Sequence, residues 1–291
     1  MQVIRTRESL QRLSDQCRAQ GKLIALVPTM GALHAGHLSL VAEGHQRADE
    51  VWVSLFLNPT QFSDAKDLDA YPSTEEQDLE LCRRAGAHVV WMPTREEVYP
   101  PGAQTWVEVR ELSKPLCGSS RAGHFLGVST VVSKLFLAAK PHYAIFGEKD
   151  FQQLAIIKRM VQDMGFDLEV IGAPTIREPD GLALSSRNVN LGPIARREAL
   201  CIARALDRAN DMASTGSASY DAVLDTVRAE LNTTTLGQID YVELCDPVTL
   251  ESVSGDLSGP TLLAIAMYFQ SENTDVAAPQ VRLIDNRVLL R

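Results

Sequence analysis

The stretch LIALVPTMGALHAGHLSLVAEGH, residues 23–45, decides the fold. Leu23–Val27 is an unbroken apolar run of strand length, suited to burial on both faces, and Pro28 closes it. A loop containing Gly31, His34, Gly36 and His37 follows, and a helical pattern takes over at His37–Ala48. The alternation continues outward. Apolar runs at Val51–Leu57, Ala87–Met92, Tyr143–Phe146 and Leu168–Ile171 are separated by helical patterns at Thr74–Ala85, Val128–Ala139 and Phe151–Met164. Strands separated by helices imply parallel neighbours joined by crossovers, so the fold class is α/β, a doubly wound parallel sheet. Ligands of such sheets bind beyond the carboxyl ends of the strands, which singles out the segments after Val27, Leu57 and Phe146.

The last third reads differently. A helix is expected over Pro193–Ala213, a break at Ser214–Ser219, a second helix at Tyr220–Leu231, and strands at Ile239–Leu244 and Leu262–Phe269. This is a smaller α+β domain, and the expected division is 1–184 and 185–291. With 291 residues, 45% hydrophobic and 22% charged, the chain is globular in composition. A net charge of −9 repels nucleic-acid backbone, whereas a local cluster of donors can still hold a small anion. No apolar run is long enough to span a membrane; the best, Val131–Ala139, is short and carries Lys134. MQVIRTRESL lacks the apolar core of a signal peptide. Five scattered cysteines without a C-x-x-C pair read as reduced thiols, and the expected location is cytoplasmic.

Four segments carry chemistry. In PTMGALHAGHLSL (Pro28–Leu40), Gly31 and Gly36 have P-loop spacing, but His37 and Leu38 stand where a P-loop needs Lys and Ser/Thr. A P-loop NTPase is therefore rejected. What remains is a helix start with free N–H groups and two imidazoles three residues apart, which suits a phosphate. The plainer alternative makes His34 and His37 ordinary loop and helix-start residues. A zinc site would need a third ligand, from His124 or a carboxylate, and nothing marks it. In SLFLNPTQF, turn chemistry accounts for Asn58 but not for Gln61, whose amide can donate to and accept from a polar substrate. In FGEKDFQQL, Lys149 is a natural counter-charge for phosphate, Asp150 fits a helix cap, and Gln153 lies one turn in. In REPDGLALSSRN, Ser185, Ser186 and Arg187 suit a polyphosphate clamp or, more plainly, a helix cap.

These blocks, with RAGHFLGVSTVVSKLF and RLIDN, resemble the pantothenate synthetase (pantoate–β-alanine ligase) family in order and over essentially the whole chain. PTMGALHAGH is similar to the HIGH-type signature of the nucleotidylyltransferase superfamily, which implies a Rossmann-like sheet of that type. Two departures stand out: Leu126 where some members carry Arg, and Thr60 where many carry Met. The resemblance implies that ATP and (R)-pantoate give pantoyl adenylate and pyrophosphate, and that β-alanine then displaces AMP. Mg²⁺ is implied with ATP, and a homodimer as the assembly. It implies ATP contacts from Met30, Gly31, Ala32, Leu33, His34, Ala35, Gly36 and His37, from Gly147, Glu148, Lys149 and Asp150, and from Ile176, Leu184, Ser185, Ser186 and Arg187. His37, His34 and Lys149 are the implied catalytic residues. Gln61 and Gln153 are implied to hold pantoate, with Asn58, Arg121 and His124 lining the acid and amine sites. No metal ligand is assigned; Asp78 is read as one of the acids that favour a helix N-terminus, in preference to a metal ligand. The first rival is a nucleotidylyltransferase that keeps the nucleotide on its product. The second is a nonenzymatic nucleotide-binding scaffold, which would bind ATP without turnover.

Overall fold

The computed structural model describes residues 1–62, 68, 71, 74–215, 218–270 and 280–289. The chain divides into two compact units, Met1–Glu148 with Gln152–Pro174 and Lys149–Phe151 with Thr175–Arg291.

The first unit holds a six-stranded parallel sheet: β1 (Gln2–Ile4), β2 (Ile24–Thr29), β3 (Glu50–Leu55), β4 (Val89–Trp91), β5 (Tyr143–Gly147) and β6 (Glu169–Ala173). The order β1-β4-β3-β2-β5-β6 winds one way from β2 through β3 to β4 and the other way through β5 to β6. The order therefore reverses between β2 and β5, the point where doubly wound sheets bind ligands. Pairing of β2 with β3 runs to Thr29↔Leu55, whereas pairing with β5 stops at Leu26↔Ala144. Leu23 O and Thr29 O accept from β3-side amides, so Pro28, one residue out of phase, faces β5. A residue without an N–H is tolerated there because the ladder has already lapsed. Pro28 thus does not end the strand, as the sequence suggested; it marks where β2 and β5 part.

Five helices cover this sheet: α1 (Arg7–Ala19), α2 (Ala35–His45), α3 (Glu75–Arg84), α4 (His124–Ala139) and α5 (Phe151–Met164). Leu40 and Val41 of α2 pack on Ala25, Val27, Val51 and Val53. Ser14 of α1 donates to Ala139 O at the end of α4 at 2.6 Å. β1 and α1 were not anticipated. Ile4 is the one buried residue of β1, and α1 buries only Leu10, Ser14 and Cys17 in an otherwise polar helix, with no long apolar run to draw the eye.

The second unit packs α6 (Leu200–Ser214) and α7 (Tyr220–Leu231) on an antiparallel sheet of β7 (Gly237–Cys245), β8 (Thr261–Phe269) and β9 (Val281–Leu289). The expected helix over Pro193–Ala213 is two: Pro193–Glu198 and α6. Ile202 N–H bonds Ala199 O, a tighter i→i+3 link, so the α-ladder lapses for one residue. In the expected break after α6, residues 216–217 lie outside the described ones. β9 escaped sequence reading because its buried side carries Asp285 among Val281, Leu283 and Leu289. All five cysteines are free and buried, and burial pushes the thiols of Cys82, Cys201 and Cys245 up to about 12, which makes them packing groups. Among the described residues, no helix is long and apolar enough to cross a membrane.

Candidate active site

The loop from β2 into α2 is built by carboxylate and imidazole acceptors. Gly31 and Ala32 both have positive φ, 86° and 51°. That costs a glycine little but strains Ala32, so something must hold it. Asp78 of α3, 3% exposed, does so: Oδ2 accepts from Ala32 N at 2.9 Å and Oδ1 from Leu33 N at 2.8 Å. Thr74 Oγ1 also donates to Oδ2, at 3.0 Å. Asp78 does sit in the first turn of α3 beside Glu75 and Glu76, but its carboxylate serves the loop. The sequence reading missed this, since nothing local to residues 73–80 reveals a partner forty-five residues away.

His34 caps α2. Its Nδ1 accepts from Gly36 N at 3.1 Å, and His37 Nδ1 accepts from His34 N at 3.3 Å. The rings lie 4.1 Å apart. Because a backbone N–H can only donate, both Nδ1 atoms are acceptors, which fixes the neutral Nε2–H tautomer in each ring. The expectation of free N–H groups at the helix start is therefore corrected for His34, Gly36 and His37. Gly36 N and His34 N are occupied by imidazole, and His37 N by His34 O at 2.8 Å.

The turn after β3 is equally specific. Asn58, 1% exposed, donates from Nδ2 to Gln61 Oε1 at 3.1 Å and to Gly127 O at 3.2 Å. Its Oδ1 accepts from the Thr60 and Tyr99 hydroxyls, each at 2.9 Å. Substrate contact by Asn58 would have to break one of these bonds. Gln61, 7% exposed, donates from Nε2 to the Met30 sulfur of the neighbouring loop. A thioether is a weak acceptor, so this buried amide is poorly satisfied. His124 Nδ1 donates to Gln61 O at 2.8 Å, and Arg121 Nη1 donates to His124 Nε2 at 3.2 Å. Gly127 lets α4 approach: a Cβ there would lie 2.4 Å from Thr60 O. Gln153 is half-buried, with no side-chain partner among the described residues. The structure thus gathers Met30, Asn58, Gln61, Arg121 and His124 into one network.

In the second unit, Lys149 Nζ lies 3.9 Å from Asp150 Oδ2 with its side chain 18% exposed. Asn286 of β9 donates to Lys149 O at 2.8 Å. Arg177 forms a bidentate pair with buried Asp285, at 2.6 and 3.0 Å. The bonds Leu184 N–Ile176 O and Glu178 N–Leu182 O close a hairpin that leads into Ser185–Arg187. Ser185 caps the turn that follows, accepting from Arg187 N. Arg187 is half-buried and makes no ion pair among the described residues. Sequence reading took RLIDN only as a matching block; the missed strand β9 explains it, since Asp285 and Asn286 hold Arg177 and the Lys149 main chain.

Fold and loop define the class: an α/β enzyme with a histidine-capped helix at the switch point of a Rossmann-like sheet. The model of the pantoate-beta-alanine ligase family matches residues 2–288, and the chain belongs to that family. Pantothenate synthetases from Geobacter sulfurreducens and Desulfatibacillum aliphaticivorans are 48% and 47% identical to it over 289 residues, covering 99% of both chains in each case. The crystal structure of pantothenate synthetase from Thermus thermophilus superposes with a TM-score of 0.89 at 39% identity, covering 99% of each chain. The pantoate-beta-alanine ligase of Francisella tularensis, solved with beta-gamma ATP and beta-alanine, gives 0.77 at 31% identity, covering 99% of this chain and 97% of that one. The chain is therefore an amide-bond-forming ligase whose product is pantothenate.

Proposed function

We propose that the enzyme condenses (R)-pantoate with β-alanine in two steps driven by ATP. In the first, a pantoate carboxylate oxygen attacks the α-phosphorus, the bond to the β-phosphate oxygen breaks, and pyrophosphate leaves. In the second, the neutral amine of β-alanine attacks the acyl carbon, AMP departs with the bonding pair, and the amine nitrogen releases a proton. Both steps build charge on oxygen, so the site needs aimed donors more than a covalent nucleophile. His34 and His37 are the proposed donors, each ring held by an Nδ1 that accepts from a main-chain N–H of the loop. Their role on phosphate is shared with Lys149, Ser185, Ser186 and Arg187. The rest of the nucleotide contacts fall to Met30–His37, Gly147–Asp150, Ile176 and Leu184. Mg²⁺ neutralises phosphate charge when it is bound with ATP. Among the described residues no cluster of three His, Cys, Asp or Glu suits a metal, and Asp78 is already committed to Ala32 and Leu33.

Gln61 carries the reading of the acid site. A buried amide resting on a thioether gains by exchanging sulfur for a carboxylate or hydroxyl of pantoate. Gln153 is the second amide for the acid, and Asn58, Arg121 and His124 hold Gln61 in place. We further assign a cytoplasmic homodimer, as membership of the family implies; the five free, buried cysteines accord with a reducing compartment. The test is ATP–pyrophosphate exchange. It should require pantoate and proceed without β-alanine; exchange that needs both substrates would overturn the two-step scheme. Free AMP should accompany pantothenate, whereas the rival nucleotidylyltransferase would retain the nucleotide. Calorimetry of Gln61→Ala should show a loss of about 1–3 kcal/mol for pantoate, roughly 5- to 150-fold, with ATP binding unchanged.

A further inference from the structure

Beside Gln153 on α5 stands Gln152, which the reaction does not use. Its side chain is buried, 6% exposed, yet it points into no substrate site. Nε2 donates to Leu112 O at 2.9 Å and to Pro115 O at 2.7 Å, and Oε1 accepts from Cys117 N at 3.1 Å. One amide thus ties down three main-chain groups of a single loop. That loop is strained. Leu116, buried, has φ 52° and ψ −124°, a combination that L-residues avoid. It also folds back tightly: a Cβ on Gly118 would lie 1.8 Å from Ser113 O.

The loop delivers Arg121. A one-turn helix, Cys117–Ser120, follows Leu116, and Arg121 N bonds Cys117 O at 3.0 Å. Arg121 reaches His124 Nε2 at 3.2 Å and Gln61 O at 3.4 Å, and His124 reaches the same carbonyl at 2.8 Å. A continuous path of hydrogen bonds therefore runs from Gln152 through Cys117 and Arg121 to the main chain of Gln61. One end is the main-chain carbonyl of Gln61; the other is Gln152, next in sequence to Gln153, so the path runs between the residues that carry the two amides assigned to the acid.

We infer that Gln152 is a positioning residue, which fixes Arg121 beneath Gln61 and so sets the spacing of the two acid-binding amides, Gln61 and Gln153. The inference rests on the assignment of those amides to pantoate. An apolar side chain of equal volume would fill the space but would leave Leu116 without its lock and Arg121 without a fixed base. The consequence belongs to the acid and not to ATP, since Asp78, and not this loop, holds the nucleotide loop.

The test uses Gln152→Met, which keeps volume, and Gln152→Asn, which keeps the amide but shortens its reach. Pantoate KM from exchange at saturating ATP should rise about tenfold or more in both, with kcat within about threefold and the ATP dissociation constant within about twofold. A purely structural role would lower the melting temperature and leave KM unchanged in the folded enzyme, and that result overturns the inference. Should Gln152→Met fail to fold, Gln152→Asn is carried into a double-mutant cycle with Arg121→Met. Action through Arg121 predicts that Gln152→Asn adds less than about twofold to KM once Arg121 is gone; full additivity refutes it. Gln61→Ala and Gln153→Ala run alongside. If neither raises pantoate KM, the acid-site assignment has failed. If both do and the Gln152 variants do not, that assignment stands and the role of Gln152 is rejected.

Discussion

Replacing Asp78 by Asn removes one acceptor from the carboxylate that holds the loop from β2 into α2, proposed to bind nucleotide. The new NH₂ group must take the place of Oδ1 or of Oδ2. In the first case it confronts Leu33 N–H; in the second it confronts Ala32 N–H, and the Thr74 hydroxyl must turn from donor to acceptor. Either way at least one bond to a charged acceptor is lost, worth about 1.5–3 kcal/mol, and a donor is left facing a donor. The loss falls on the turn through Gly31 and Ala32, whose positive φ values this carboxylate holds. At about 1.4 kcal/mol per tenfold, the working loop conformation falls by roughly 10- to 150-fold relative to its competitors. Pantoate-dependent pyrophosphate exchange should drop by up to that factor, with the melting point lowered. Near-normal exchange in Asp78→Asn would refute the lock. Recovery at raised Mg²⁺ would instead make Asp78 a metal ligand.

Three further outcomes are expected. Gly127→Ala forces a methyl against Thr60 O and Gln61 N, at 2.4 and 2.8 Å, and should cost about 1–3 kcal/mol in denaturant melts while raising pantoate KM more than ATP KM; an unchanged melt would mean that α4 yields freely. Arg177→Met strands the Asp285 carboxylate, whose side chain is 3% exposed, and should cost about 3–5 kcal/mol; adding Asp285→Leu should recover part of it, and no recovery would argue against an unpaired charge as the cause. His142 accepts from Ile24 N through Nδ1 at 3.0 Å, and burial, then the Arg18 charge, hold its pKa below the ordinary 6.5, with Asp167 opposing. The unfolded chain therefore binds this proton first as pH falls, so stability is lost from about pH 6.5 downward and is flat above it. His142→Asn should flatten that slope in thermal melts, and an unaltered slope would assign it to another group.

What was legible in the sequence follows from how strong and how local each signal is. The apolar runs of β2 to β6 and the strong period of α5 stand out because both faces of the sheet are covered, and α5 and α7 were read to the residue. Boundaries slipped where side chains, not periodicity, set them: α2 starts at Ala35 because the imidazole of His34 caps it. The candidate residues His34, His37, Gln61 and Gln153 could be picked out by type and by position at strand ends. Asp78, Gln152 and Asp285 could not. Each acts on a partner far along the chain, and an acid in a helix turn, a second Gln, or an Asp within an apolar strand carries no sign of where its partner lies.

With Gln61 on pantoate as proposed, the resting place of its amide on the Met30 sulfur bears on how sharply the enzyme chooses among acids. A site whose donor is paired only by the correct substrate rejects an analogue lacking that group by large factors, because the donor is then stranded without water. Here the thioether receives the amide whenever the ligand does not. An acid missing the acceptor forfeits the difference between oxygen and sulfur, and no more. Deoxy analogues of pantoate should therefore be discriminated against by tens-fold rather than by the ~10⁴ of a stranded donor. Replacing Met30 with leucine, which removes the fallback acceptor, should sharpen that selectivity even as it weakens the unliganded fold.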